Sequence, residues 1–370
     1  MNTHDTYSPG FLLSNVPGAL GFYPTESVLL MAFHEHADNL RLGPIARCDI
    51  ADAHDYLPEA FDAVSAGTDV VFAFIVSHRP QQSLQWLVDF LYDFRSDDDG
   101  REIDACWHSP EIAVGQPYEV CFGPQQFAGG AQDPWCEGTI PSIINSPSMQ
   151  RWVEQGQLPE VSRAAAQSFY QERNRFLCPS HRAELESIVG REASLLSLGR
   201  CLPPSYPPHD LCRELEVEDI PAFIELVVTR ATEADWTLDE LLRQPGLLGR
   251  VGAIMGCTLT RDLAMGALLE APDAAATILL AVAQSVEGLS RWNALTIFAA
   301  TQIAQGLPMI AGTVLSVVLK EEPQHTLARL MDKGYRAGLH DSLVDSLRDG
   351  SRLAVVNLAE EPESPLGNCG

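Results

Sequence analysis

The chain has 370 residues, 46% apolar and 20% charged, with a formal net charge of −26. This length allows two domains with separate cores, and the composition is that of an ordinary soluble globular protein. The charge opposes a nucleic-acid backbone and an anionic membrane surface, both of which need clustered cations, and no run of Lys and Arg occurs anywhere.

Along the chain, residues 9–20 read as a short helix interrupted near Pro17. Gly21 and Pro24 then make a rigid turn into a continuous apolar strand over 28–33. Residues 45–50 alternate with period two, as a strand with one wet face does. Helical spacing over 57–66 stops at Gly67. Val70 to Val76 are seven apolar residues in a row, which suits a central strand covered on both faces. Helical spacing returns over 83–94, and 103–107 is a further short strand. Residues 109–144 are rich in Gly and Pro and read as irregular loops with a hairpin. Helices follow at 149–155 and 161–176.

Residues 201–210 carry Pro203, Pro204, Pro207 and Pro208, which neither a helix nor a strand ladder accommodates, so the domain boundary is expected there. Every periodic segment beyond it is helical: 220–233, 238–243, 247–269, 273–287, 290–305, 308–320, 325–334 and 341–347. Short connections predict antiparallel neighbours. The expected architecture is a layered mixed α/β sheet domain with an irregular loop insertion over 1–200, then an antiparallel all-helical domain over 211–350. Residues 359–370 are poor in apolar residues and are expected to be a disordered tail.

Three phrases carry a family resemblance: Leu20-Gly21-Phe22-Tyr23-Pro24-Thr25-Glu26-Ser27, then Arg41 to Asp49 with its Arg-x-Asp, and Glu322-Pro323 followed by Leu327 to Met331 and Gly338. Thr260-Arg261-Asp262 adds an Arg-Asp in the middle of the helical part. Their order and spacing resemble the actinobacterial family known as domain of unknown function 4192. The resemblance covers most of the chain and brings no activity with it. The loop region departs from the family, showing Cys136-Glu137-Gly138-Thr139 and Pro141 where adjacent cysteines precede a Pro-rich turn in relatives.

Several constellations could carry chemistry. Arg47 and Asp49 lie two apart on a strand and share a face, as an anion clamp with its orienting carboxylate or as a salt bridge. Arg250, Arg261 and Asp262 fall in the apolar helical stretch 247–269, with Arg250 and Arg261 three turns apart on one face; such charges need partners or a ligand. His78, with Arg79, follows the central strand, where α/β sheets place ligands. Glu26 and Ser27 read as a turn. Leu295, Phe298, Ala299, Gln302, Ala311, Leu315, Val318 and Pro323 match the packing positions of one tetratricopeptide-like helix pair, or of any helix pair. Cys178 and His181 make a single close pair where a structural zinc site needs two, so neither metal nor cofactor is expected. Nucleophile-elbow and phosphate-loop motifs are absent from the sequence.

Nine scattered cysteines and no secretory leader predict a cytoplasmic protein. The leading expectation is a non-catalytic binding or regulatory module whose helical domain contacts a protein partner. The alternative is an enzyme or small-molecule sensor that binds a small anionic ligand in a polar cleft between the domains, using Arg47, Asp49, His78, Arg261 and Asp262. Neither nucleic acid nor membrane is expected as a partner.

Overall fold

A computed structural model describes residues 8–36, 39–95, 100–123, 133–154, 156–171, 179–197 and 215–360. The chain divides into two compact units, Met1–Ala166 and Gln167–Gly370. The proline-rich stretch 201–210, where the boundary was expected, lies outside the described residues, as do 361–370; Ala359 and Glu360 still belong to the last helix.

In the first unit, α1 (Pro9–Leu20) starts on Ser8, whose hydroxyl accepts from the Phe11 N–H, and ends at Gly21, in the left-handed region at φ 78°. Pro17 sits inside α1 without breaking it. The side chains of Leu12, Leu13 and Val16 are buried, and that burial outweighs the one backbone bond proline removes. Six strands follow: β1 (Ser27–His36), β2 (Asn39–Asp49), β3 (Val70–Val76), β4 (Ala105–Ser109), β5 (Pro117–Phe122) and β6 (Glu137–Thr139). They form one mixed sheet in the order β2-β1-β3-β4-β5-β6. Only β3 and β4 are parallel among the paired strands. A parallel pair needs a crossover, here α3 (Gln85–Asp93), while α2 (Ala53–Ser65) joins β2 to β3.

On one sheet face, Val28, Leu30, Ala32, Val71, Ala73 and Ile75 form a core with Leu57, Phe61 and Val64 of α2 and Leu87, Val88 and Leu91 of α3. The opposite face is buried too, through Leu29, Met31, Phe33, Phe72, Phe74 and Trp107. Phe74 stacks on Trp107 at 5.2 Å, and the Trp107 indole N–H donates to the Trp135 carbonyl at 2.6 Å. Two covered faces explain the unbroken apolar run of β3. The region 109–144 contributes two short strands, β6 at the sheet edge and β5 beside it, and so extends the sheet. The buried ring of Tyr118 on β5 occupies the space a Cβ on Gly10 would take, 2.6 Å away, which is how α1 approaches this edge.

α4 (Gln150–Glu154) follows, and α5 (Arg163–Gln171) spans the division between units. Beyond it every described α or β element is helical: α6 (Pro179–Ser197), α7 (Ile220–Glu233), α8 (Leu238–Leu241), α9 (Pro245–Met255), α10 (Thr258–Glu270), α11 (Pro272–Ser285), α12 (Gly288–Ala304), α13 (Pro308–Glu321), α14 (Thr326–Arg336) and α15 (His340–Glu360). α6 is not among the expected elements. It belongs to the second unit, where Ile188 packs into the gap that Gly249 leaves on α9. The expected helix 247–269 is two helices: α9 ends at Gly256, and Cys257 turns extended at φ −130°, ψ 140° to start α10. Thr260 fastens the corner by donating to the Ile254 carbonyl at 2.6 Å. The tetratricopeptide-like positions Leu295, Phe298, Ala299, Gln302, Ala311, Leu315 and Val318 are buried, consistent with packing of α12 against α13, whereas Pro323 is exposed.

Candidate functional site

Cross-strand register brings Asp49, Ser27, Val76 and Ser109 into one row at an end of the sheet, where β2, β3 and β4 finish and β1 begins. The carboxyl ends of parallel strands are where open α/β sheets bind ligands. Arg47 donates from Nε to Ser27 Oγ at 2.9 Å and from Nη2 to Asp49 Oδ1. Its side chain is only 10% exposed against 45% for Asp49. The remaining guanidinium nitrogen, Nη1, is buried with no hydrogen-bond partner.

Beside this pair lies Glu26, a non-glycine residue at φ 44°. Such backbone is uncommon for a side-chain-bearing residue and persists only where surrounding contacts over-determine it. Here the Glu26 carbonyl accepts from the Ile50 N–H at 3.0 Å. Its carboxylate accepts from Ser77 Oγ at 2.8 Å and lies 3.0 Å from Arg79 Nε. The Arg79 backbone N–H donates in turn to Ser77 Oγ at 3.1 Å, and His108 Nε2 lies 3.0 Å from the Ser77 carbonyl. His78 points outward, with Glu111 at 4.0 Å. Ser27 and Ser109 donate their hydroxyls to backbone carbonyls, and Ser77 is buried. The hydroxyls are therefore structural donors, and the arrangement suits charge recognition better than nucleophilic attack.

In the second unit Arg261 and Asp262 are neighbours on α10. Arg261 Nε and Nη2 reach Asp262 Oδ1 at 2.8 and 2.6 Å, and Nη1 donates to Asn293 Oδ1 at 2.9 Å. Asn293, on α12, donates to the Met255 carbonyl at 2.8 Å. His325 continues the network: its Nδ1 accepts from the Ala328 N–H at 3.2 Å, capping α14, and its Nε2 lies 3.0 Å from Asn293 Oδ1. An accepting Nδ1 places the imidazole proton on Nε2, so the ring is neutral and donates to Asn293. Burial, with the nearby Arg261 charge, holds the His325 pKa below its usual value, against an opposing pull from Glu322. Arg250 is buried on α9, its guanidinium carbon 5.5 Å from the Phe223 ring centroid. The break between α9 and α10 removes the continuous helical face on which Arg250 and Arg261 were expected to align.

Of the residues singled out from sequence, Arg47 pairs with Asp49 within the first unit, and Arg261 pairs with Asp262 within the second; His78 joins neither pair. Sequence reasoning set Glu26 aside as a turn and passed over Ser77, His108, Asn293 and His325. Glu26 lies inside the phrase 20–27, and Asn293 is a polar residue in an apolar helical run; both signals were available. Among the described residues no group of three or more His, Cys, Asp and Glu is arranged to hold a metal ion, and Cys178 lies outside them.

Comparison with curated proteins and with solved structures finds no match. The model of one family, described as domain of unknown function 4192, matches residues 9–342, and the chain belongs to that family.

Proposed function

We propose that the protein is a non-catalytic binding module whose first unit takes a small anionic ligand at the strand ends around Arg47. The observation that supports this is the guanidinium itself: it is nine-tenths buried, two of its nitrogens are committed, and Nη1 has no acceptor. A planar guanidinium favours bidentate engagement of a carboxylate or phosphate, more strongly where water is excluded. Asp49, nearly half exposed, is the counter-ion such an anion would exchange with. The test is calorimetric titration with acetate and with inorganic phosphate. Saturable binding of one of them by the wild type, lost in Arg47→Gln, is the expected result. No saturable heat from either anion overturns the reading.

A protein partner for the helical unit is the second part of this proposal. α15 packs through Val344, Leu347 and Ser351, but Leu353, Val355 and Val356 in its later turns are exposed. We read α11 to α14 as antiparallel neighbours, since consecutive members pack together across connections of a few residues. A cytoplasmic setting fits the odd number and scatter of the cysteines. Pull-down from native cytoplasm with wild-type protein and with Leu353→Glu/Val356→Glu tests the surface: a protein retained by the wild type alone supports it, and identical captures refute it.

A further inference from the structure

Cys106 and Cys121 stand apart from both polar clusters. Cys106 is on β4 and pairs with Phe122 of β5, while Trp107 pairs with Val120, so Cys121 is the extra residue of a bulge on β5. Both cysteines pack against the core that α2 and α3 share with the sheet, so their thiols lie on the same face of adjacent antiparallel strands. The bulge sets Cys121 next to Phe122, the residue opposite Cys106, which brings the two thiols side by side; a disulfide needs Cα atoms about 4.4–6.8 Å apart. Cys106 is fully buried, whereas Cys121 is partly exposed. Gln81, in the 3₁₀ turn before α3, donates its amide to Cys121 Sγ at 3.5 Å.

We propose that Cys121 is an oxidant-sensing thiol, converted by hydroperoxides to a sulfenic acid that Cys106 resolves as an intrachain disulfide. In the first step the Cys121 thiolate attacks the O–O bond. An S–O bond forms, the O–O bond breaks, and the departing oxygen leaves as water or alcohol after taking a proton. The sulfur is oxidised by two electrons and the hydroperoxide is reduced. In the second step Cys106 sulfur attacks the Cys121 sulfur; the S–S bond forms, the S–O bond breaks, and hydroxide leaves as water with the Cys106 proton.

The surroundings assign the two roles. The neighbouring Cys106 thiol and the Gln81 amide favour the thiolate of Cys121 and hold its pKa below the ordinary thiol value despite burial. Two other thiols run the opposite way: burial pushes Cys48 up to about 11, and Cys136 is raised by burial and by Asp133 and Glu137. A thiolate with access to solvent is the species that reacts first, and a buried thiol at its side is placed to resolve it.

The test uses full-length reduced protein, limiting hydrogen peroxide, and peptide mapping by mass spectrometry without reductant. The expected product is a peptide pair joined through Cys106 and Cys121, reversed by a dithiol reductant. Cys106→Ala should instead leave Cys121 as a sulfenic acid that dimedone traps, and Cys121→Ser should lose both products. Because Cys106 is in the core, a second measurement on the wild type guards against misfolding of that variant: iodoacetamide should alkylate Cys121 at least about tenfold faster than Cys136 at neutral pH. Alkylation of Cys121 no faster than Cys136, or peroxide products on other cysteines with the 106–121 pair untouched, overturns the proposal.

Discussion

Replacing Arg291 with alanine should be among the most damaging truncations in the helical unit. Its guanidinium is fully buried, and its partner Glu321 is only 14% exposed. Nε and Nη2 each meet a carboxylate oxygen of Glu321 at 3.0 Å, Nη2 also donates to the Tyr170 carbonyl at 2.7 Å, and Nη1 donates to the Ala283 carbonyl. Truncation removes the charge that offsets a desolvated carboxylate together with donors to two carbonyls. Removing one partner of a buried pair costs about 3–5 kcal/mol. With roughly 2–4 °C per kcal/mol for a unit of this size, the melting transition that reports the helical unit should fall by roughly 6–20 °C. Scanning calorimetry of wild type, Arg291→Met, Glu321→Leu and the double variant separates charge from packing. The double variant removes both members of the Arg291–Glu321 pair, so it should be more stable than the sum of the single losses by at least about 1 kcal/mol. A fall below about 2 °C for Arg291→Ala, or strict additivity in the cycle, refutes the reasoning.

Four further outcomes are expected. The His325 pKa is lower folded than unfolded, so the stability its neutral ring supplies is fully present above the unfolded value near 6.5 and is lost as pH falls through the folded value. Thermal melts of wild type and His325→Gln should therefore differ most above about pH 7 and converge under acid, and parallel profiles would contradict this. A Cβ at position 18 would sit 2.5 Å from Ser148 Oγ and 2.6 Å from the Ser148 backbone, so Gly18→Ala should cost about 1–3 kcal/mol in urea unfolding; a neutral result would show that the contact relaxes. Gln284 is buried with neither amide atom hydrogen-bonded, so Gln284→Met should raise the melting temperature, by up to about 1–3 kcal/mol in stability, and a lower melting temperature would count against the assignment. A gel-shift titration at physiological salt should show no duplex binding, given the net charge of −26; salt-sensitive micromolar binding would show that charge distribution overrides the total.

Much of the secondary structure was legible because it is local. The spacing over 220–233 coincides with α7, and the apolar run 70–76 coincides with β3, covered on both faces. The turn at Gly21 follows from the one residue type that takes φ 78° without cost. Elements with weak local signals were missed, or, for β5 and β6, read only as a hairpin without bounds. The buried stripe of α6 runs through Leu185, Ile188, Glu192 and Leu196, so a glutamate interrupts its apolar period. β5 and β6 are six and three residues long at a sheet edge, too short for alternation to stand out from Gly and Pro.

The sequence determined on its own most of the element types, the separation of strand-bearing from helical parts, and the apolar setting of Arg250 and Arg261. Tertiary structure alone decided their partners: Arg291 with Glu321, Arg261 with Asn293 and through it His325, and Glu26 with Ser77 and Arg79. Periodicity reports which face of an element avoids water, and neighbours within one turn or strand set it. A buried ion pair instead joins residues 30 apart in α12 and α13, and the Glu26–Ser77 hydrogen bond joins residues 51 apart, just outside β1 and β3. Its partner is chosen when the elements pack, because only then does desolvation make an unpaired charge costly enough to select one.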